Sequence, residues 1–260
     1  KENNTYSMME MINDAKDDNV EVPKINVSEV SEIVYTSGSL GRSKGVMLSQ
    51  RNIATNLMAM RRMIKIYPED RFLGVLPMHH TYQCTCGFLC SLYSGASLHF
   101  ARSLKTIPED LIKIKPTIIL GAPLLYNKIY NKINKTISAK KITSSVFNSM
   151  MKLSDFAKII GWKKSKKVIF AKIHKTLGGS IRLLIAGGAA PDPKVSKFFR
   201  DVGFNVVQGY GLTETSPILT LNRIEHFKDE SAGLPLDGVE IKINQPDKDG
   251  IGEIFSRGPN

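Results

Sequence analysis

The sequence predicts an α/β fold in which layered parallel sheets with flanking helices are followed by the start of an antiparallel β subdomain. Three observations carry this reading. Short apolar runs alternate with helix-period segments from Arg71 to Gln208, the pattern of strands buried on both faces and joined by right-handed crossovers. Glycine-bearing loops follow several of these runs, where strand exits would lie. Beyond Asn222, VEIKIN and IGEIFSR flank a Pro-Asp-Lys-Asp-Gly connection, which reads as an antiparallel hairpin with a long loop.

Taken in order, residues 1–30 are polar and hold no apolar period, so a flexible lead-in is expected. Ile33-Val34-Tyr35 is a short strand that delivers the chain into a loop from Thr36 to Gly45. RFLGVL is a strand, residues 84–93 a helix, ASLHF a strand, residues 108–115 a helix and PTIIL the next strand. IRLLIAGG follows as a strand feeding a turn, then a helix from Asp192 to Val202 and the strand NVVQ. The organisation is therefore a lead-in (1–30), an α/β region (31–222) and a β subdomain that begins within 223–260.

One segment interrupts the alternation. Between Lys128 and Lys175 there are thirteen lysines, no arginine and one acid, Asp155, so this stretch alone carries the formal net charge of +12. Val146, Met150, Leu153, Ala157 and Ile160 follow intervals of four, three, four and three, which places them on one helical face. The expectation is a helical insertion whose apolar stripe packs against the sheet and whose lysines face solvent. Contact with an anionic membrane or acyl carrier, and binding of nucleic acid, remain open alternatives.

A chain of 260 residues with 42% hydrophobic content can bury a substantial core. Its three cysteines all fall between Cys84 and Cys90, too few and too close for a disulfide framework, so a cytoplasmic protein is expected, peripheral at a membrane if the lysines make that contact. No apolar run approaches the roughly 20 residues of a membrane-spanning helix. The chain starts at Lys1 and stops inside GEIFSRGPN, which reads as an internal fragment of a longer protein.

Three loops have the chemistry to hold a nucleotide. Thr36-Ser37-Gly38-Ser39-Leu40-Gly41-Arg42-Ser43-Lys44-Gly45 combines hydroxyls, glycines and two cations. Its backbone can curl amides toward an anion while Lys44 neutralises phosphate charge. It departs from the usual triphosphatase loop, because Ser43 precedes Lys44 where glycine is expected and Gly45 follows where Ser or Thr would bind magnesium. Ala186-Gly187-Gly188-Ala189-Ala190-Pro191 lets a flat ring approach the backbone closely. In Gly209-Tyr210-Gly211-Leu212-Thr213-Glu214-Thr215, Tyr210 can stack on a base, Thr213 can bond a phosphate and Glu214 can coordinate a hard cation. Each loop alone could be a plain turn or a helix cap.

Together these segments resemble the adenylate-forming (AMP-binding) superfamily, and within it the long-chain fatty-acid:CoA ligase branch. YTSGSLGRSKGV is similar to the family's phosphate loop, LPMHH to its Leu-Pro-x-x-His segment and AGGAAPDP to its adenine loop. QGYGLTET resembles its Tyr-Gly-x-Thr-Glu signature, and GEIFSRGP the motif that follows. The helical insertion before IRLLIAGG is similar to that of the long-chain branch.

The resemblance implies an acyl-CoA synthetase-like N-terminal domain, in part, and ATP-dependent activation of a fatty acid to acyl-adenylate and then acyl-CoA. ATP and Mg²⁺ are implied, with coenzyme A as co-substrate. Thr36, Ser37, Gly38, Ser39, Gly41 and Lys44 would hold the β and γ phosphates, and Gly188, Ala189, Gly209 and Tyr210 would enclose adenine. Thr213 would contact the α-phosphate, Glu214 with Thr36 would hold magnesium, and His80 would lie beside the entering carboxylate. Lys44, His80, Thr213 and Glu214 are thus the implied catalytic set. Leu40 stands where the family commonly has threonine and Ser43 where it has proline. In relatives a ribose-binding aspartate, a hinge, an arginine and a catalytic lysine lie beyond the equivalent of Asn260, so the full-length protein is expected to be the enzyme and this fragment to be inactive alone.

His79, His80, Cys84, Cys86 and Cys90 match no closed zinc pattern, and cysteines buried in a sheet-packed helix are the expectation. Two further functions stay open: adenylation of another carboxylate, aryl or amino acid, and a non-enzymatic basic module binding lipid or RNA through the lysine-rich segment.

Overall fold

The computed structural model describes residues 24–37, 42–139, 144–159, 162 and 165–260. The first 23 residues of the expected lead-in lie outside that set. The first paired elements among the described residues are an antiparallel hairpin of β1 (Val30–Ser37) and β2 (Ser43–Ser49), in which Thr36 pairs with Lys44 and Ser37 with Ser43. Residues 36–45, expected from the sequence to be loop, instead include the end of β1 and the start of β2. Ser-Lys-Gly carries little intrinsic strand preference, and burial of Leu48 with Val46 against the core overrides it.

Helix α1 (Gln50–Met63) follows, also unforeseen. Its start is a capping box: the Asn52 amide donates to Ser49 Oγ at 3.2 Å and the Ser49 amide donates to Asn52 Oδ1 at 2.8 Å. Ile53, Leu57 and Met60 form its buried stripe.

The central sheet has seven strands in the order β4 (Ser97–Phe100), β3 (Arg71–Gly74), β5 (Ile118–Gly121), β6 (Leu183–Ala186), β7 (Asn205–Gly211), β8 (Ile218–Leu221), β9 (Leu234–Pro235). The first five are mutually parallel and the last two antiparallel. Every parallel strand foreseen from the alternating pattern is present. Alternate residues feed two cores. Phe72, Ile118, Leu120, Leu183 and Val207 face α1 and α2 (Tyr82–Leu89), a wide π-helical stretch that runs into α3 (Cys90–Tyr93). Leu73, Ile119, Leu184 and Val206 face the opposite layer: α4 (Ile107–Ile114), α5 (Pro123–Ala139), α6 (Ser144–Ile159), α7 (Ser165–Ile169), α8 (Ala171–Thr176) and α9 (Pro193–Asp201). Asp192 caps α9, accepting from the Lys194 amide at 2.8 Å.

The hairpin β10 (Glu240–Asn244) and β11 (Glu253–Arg257) is antiparallel, as the sequence predicts. Leu236 and Val239, just before it, are buried in the first core.

The insertion is helical, but its stripe is displaced. Ala157 is buried and Met150 half-buried, whereas Val146 and Leu153 are exposed, and Ile160 lies outside the described residues. The face that packs is Phe147, Met150, Ser154 and Ala157, because the Phe147 ring sits between Phe170 and Phe198, at 5.4 and 6.1 Å, and so sets the helix rotation. Among the described residues no helix is long and apolar enough to cross a membrane.

The amino-terminal edge of the sheet is tied by Asp70, 3% exposed. Its carboxylate accepts from Thr117 Oγ1 at 2.7 Å, Arg182 Nε at 2.8 Å and the Tyr67 amide at 2.8 Å, joining the starts of β3, β5 and β6. Burial alone would raise this carboxyl, but the hydrogen bonds and the Arg182 charge outweigh it and hold it below the usual range. A depressed native pKa means the contribution to stability is present above about pH 4 and is lost as pH falls through the lower native value. Asp70→Ala is expected to cost about 2–3 kcal/mol in urea unfolding at pH 7. The difference from wild type should shrink on acidification below pH 4, and a pH-independent difference would exclude the linkage.

Candidate functional site

Because β3, β5, β6 and β7 are parallel, their carboxyl ends share one edge of the sheet, where open α/β sheets place ligands. Ala186 of β6 pairs with Gln208 of β7, so Gly188 and Ala189 leave one strand and Tyr210 its neighbour, each two or three residues past the same register point. Gly188 has φ +82° and nothing within 4 Å of where a Cβ would stand. Gly188 and Ala189 are exposed, and Tyr210 is half-buried beside them.

The exit of β6 is clamped from both layers. Tyr82 Oη donates to the Ile185 carbonyl at 3.2 Å from α2, and Tyr126 Oη reaches the same carbonyl at 2.7 Å from α5. The Tyr82 ring also fills the space beside Gly187, where a Cβ would lie 2.7 Å from the ring. Burial raises both phenols well above their ordinary range, so both stay protonated donors. The same contact draws the segment before α2, with His79 and His80 exposed and stacked at 5.1 Å, against the β6 exit.

The β1–β2 hairpin presents two chemically distinct faces. Val34, Thr36, Lys44, Val46 and Leu48 alternate on the face that leads into the core, while Ile33, Tyr35, Ser37 and Met47 fall on the other, where Tyr35 is 74% exposed. Thr36 and Lys44 are directly opposite, so their side chains share a face about 5 Å apart at Cβ. Ser37 falls on the opposite face, so its hydroxyl does not join theirs. Gly38, Ser39 and Gly41 lie outside the described residues.

Strand β2 touches the short 3₁₀ turn Thr213–Thr215, which brings the hairpin to Thr213 and the exposed Glu214. The turn is held by residues that the sequence reading missed. The Leu212 amide donates to Thr215 Oγ1 at 3.0 Å, which donates to the Pro217 carbonyl at 2.7 Å. Asn56, fully buried, donates to the Ile218 carbonyl at 2.7 Å. Asn260 donates to the carbonyls of Thr215 and Ile218, both at 3.0 Å. Asn56 was legible: it interrupts the apolar stripe Ile53, Leu57, Met60, and a polar residue there needs a partner across the interface.

Cys86 and Cys90 are buried on α2–α3, with Cys86 Sγ 3.5 Å from Met60 Sδ. Burial pushes the Cys90 thiol up to about 11 and raises Cys84 and Cys86 as well. These thiols pack; they lack the thiolate character that nucleophiles and metal ligands need. Among the described residues no three His, Cys, Asp or Glu side chains converge. A hard cation at Glu214 would therefore draw its other ligands from hydroxyls and from phosphate oxygens, the usual mode for Mg²⁺. An open glycine backbone, a cation and hydroxyl on one hairpin face, and a carboxylate on the adjoining turn fit a magnesium-bound nucleotide.

Comparison with known proteins identifies the family and the fold. The AMP-binding enzyme family matches residues 2–260. The chain is 28% identical to a chloroplastic long-chain fatty acid:acyl-carrier-protein ligase of Arabidopsis thaliana, over 90% of this chain and 38% of that protein. It is 30% identical to long chain acyl-CoA synthetase 3 of the same plant, over 96% of this chain and 40% of that protein. Among solved structures, a malonyl-CoA ligase with methylmalonyl-CoA and AMP bound superposes with a TM-score of 0.66 at 25% identity, covering 92% of this chain and 46% of the other. A long-chain-fatty-acid-CoA ligase from Archaeoglobus fulgidus superposes with a TM-score of 0.66 at 21% identity, covering 98% and 47%. The chain thus spans about two fifths of the length of the curated relatives it matches.

Proposed function

Since the chain belongs to the AMP-binding enzyme family, we propose that the full-length protein activates a long-chain fatty acid with ATP, forming acyl-adenylate and pyrophosphate and then acyl-CoA and AMP. The observation that supports this most is that strand β2, which carries Lys44 opposite Thr36, touches the Thr213–Thr215 turn, while Gly188 offers open backbone at the carboxyl edge of the sheet. The fatty-acid activities for which the two Arabidopsis relatives are named favour a fatty acid over an aryl or amino acid.

Under this proposal Lys44 and Thr36 bind the β and γ phosphates, and the Gly188–Ala189 backbone with Gly209 and Tyr210 encloses adenine. Thr213 meets the α-phosphate, and His80 orients the entering carboxylate. A carboxylate needs no deprotonation to attack phosphorus, so the barrier lies in repulsion between anions, and the task of these residues is neutralisation and alignment. Magnesium, when held by Glu214 and Thr36, adds charge stabilisation on the departing pyrophosphate. Coenzyme A thiolate then attacks the acyl carbonyl, and AMP leaves with the bonding electrons. Given ATP, Mg²⁺, hexadecanoate and coenzyme A, the full-length protein should release pyrophosphate and thioester in equal amounts. Release driven by benzoate or an amino acid instead would move the activity to another carboxylate, and no acid-dependent release would overturn the reading.

Within this proposal the insertion adds a peripheral membrane contact. Phe156 and Trp162 are 61% and 48% exposed within the lysine-rich segment, an aromatic and cationic combination suited to an anionic interface. Each lysine near such a bilayer contributes about 1 kcal/mol, screened beyond about 8 Å at physiological salt. Replacing Lys152, Lys163, Lys164 and Lys167 by Gln should weaken co-sedimentation with anionic vesicles at least tenfold. Equal binding by wild type and variant would leave these lysines as a solvated face, and RNA binding lost in the variant would favour a nucleic-acid module.

A further inference from the structure

The amino-terminal edge of the sheet, opposite the proposed reaction crevice, carries a polar cleft of about 570 Å³. Arg62 in the last turn of α1, Lys65 and Tyr67 before β3, Arg182 just before β6 and Arg223 after β8 stand in its wall. Strand β8 runs antiparallel to β7 and returns the chain to this edge, so Arg223 meets residues that precede the parallel strands. The stretches that form the cleft, 62–67, 182 and 223–237, lie wholly within the described residues. Its volume falls in the roughly 300–1,000 Å³ range of small-molecule sites.

The charges in this wall are not equivalent. Asp70 neutralises Arg182, whose guanidinium also lies over the Tyr67 ring at 5.1 Å from its centre. Arg62 has Asp237 at 3.8 Å, a loose pair between two exposed side chains. Among the described residues Lys65 and Arg223 have no ion-pair partner, and neither does Glu225, the remaining acid of the wall. With the pairs set aside, two cations stand against one exposed carboxylate. Arg223 is half-buried, and its Nε is shut off from solvent with no hydrogen-bond partner. A guanidinium partly withdrawn from water with no anion against it attracts an anionic ligand more strongly than a fully solvated cation does.

We propose that this cleft binds a small molecule bearing a phosphomonoester, its phosphate held by Lys65 and Arg223, in a site separate from the reaction crevice. A guanidinium offers a donor fork matched to phosphate oxygens, and the lysine adds a compact charge beside it. A phosphomonoester carries nearly two negative charges at neutral pH and so answers both unpaired cations, whereas a single carboxylate would leave one unmatched. Glu225 opposes the phosphate, which fixes the sign of its effect. The separation follows from topology: the loops bearing His80, Gly188 and Glu214 follow the carboxyl ends of β3, β6 and β7. The inference does not rest on the ligase reading, since the cleft would hold its ligand without reacting it.

The test is isothermal titration calorimetry of the full-length protein with ribose 5-phosphate, and with ribose as the neutral control. One saturable site is expected for the phosphate ester and none for ribose. Arg223→Gln and Lys65→Gln should each weaken binding about tenfold, the loss expected for one charge-assisted contact. Lys65 is exposed, so its variant stands as the test if the Arg223 variant fails to fold. Glu225→Gln, also at an exposed position, should tighten binding about threefold by removing the opposing charge. Lys44→Ala with Glu214→Ala should bind as wild type. Absence of a saturable site, equal binding of ribose, wild-type affinity in a folded Arg223→Gln or in Lys65→Gln, unchanged or weaker binding in Glu225→Gln, or loss of binding in the Lys44/Glu214 variant would each overturn the proposal.

Discussion

Lys44→Ala and Glu214→Ala are each expected to slow fatty-acid-dependent pyrophosphate release by the full-length protein about a hundredfold, the equivalent of roughly 3 kcal/mol of transition-state stabilisation. Lys44 faces Thr36 across the hairpin, and in the proposed reaction its ammonium would neutralise the charge that gathers as pyrophosphate departs. Glu214 sits on the turn that β2 touches, and its loss would loosen the cation shared with those phosphates. Two controls come from the same hairpin. Ser37→Ala should stay within about threefold of wild type, because Ser37 falls on the other face. Arg42→Ala, outside the paired strands, should act as a peripheral cation and cost less than Lys44→Ala. Near-wild-type release by both the Lys44 and Glu214 variants would remove the mechanistic assignment while leaving the fold intact. A Ser37 effect as large as that of Lys44 would mean that the alternation of the hairpin does not decide which side chains meet phosphate.

What the sequence disclosed, and what it withheld, follows from where each signal resides. The parallel strands were legible because Phe72-Leu73 and Leu183-Leu184 each feed both cores, which demands unbroken apolar runs. Strand β2 was not, since Ser43-Lys44-Gly45 owes its extended form to pairing with Ser37, Thr36 and Tyr35, a partnership that local propensity does not encode. The rotation of α6 was misjudged for a related reason. Its spacing allowed two neighbouring apolar stripes, and the choice between them was made by Phe147 stacking on rings from α9 and the start of α8. The loops announced their chemistry through residue type. Of their supports, Asn56 beneath the Thr213–Thr215 turn left a sequence signal as a polar break in an apolar stripe, whereas Tyr82 under Gly187 became visible only when distant segments met.

Gly211→Ala is expected to damage fold and site together. Strand β7 changes register with β8 between Tyr210 and Gly211, and a Cβ at Gly211 would stand 1.7 Å from the Pro217 carbonyl oxygen and 2.9 Å from Ile218 Cα. Both are backbone atoms, so no side chain can swing aside, and β7 must separate from β8. That movement displaces the segment that ends in Thr213 and Glu214 and strips Asn56 of its aligned partner at Ile218. Overpacking of this kind costs about 2–3 kcal/mol, which should appear as a lower urea midpoint. Adenylation should fall at least tenfold even at temperatures where the variant remains folded, because the carboxylate has moved relative to Lys44. Gly188→Ala is the informative contrast. No atom lies within 4 Å of its new Cβ, but φ is +82°, so the penalty is the 1–2 kcal/mol or so of a left-handed alanine, and the methyl group projects into the open space proposed for adenine. Its urea midpoint should shift less than that of Gly211→Ala, while its apparent affinity for ATP weakens more than its turnover. A Gly211→Ala protein with wild-type midpoint and wild-type turnover would show that the β7–β8 approach does not position Glu214.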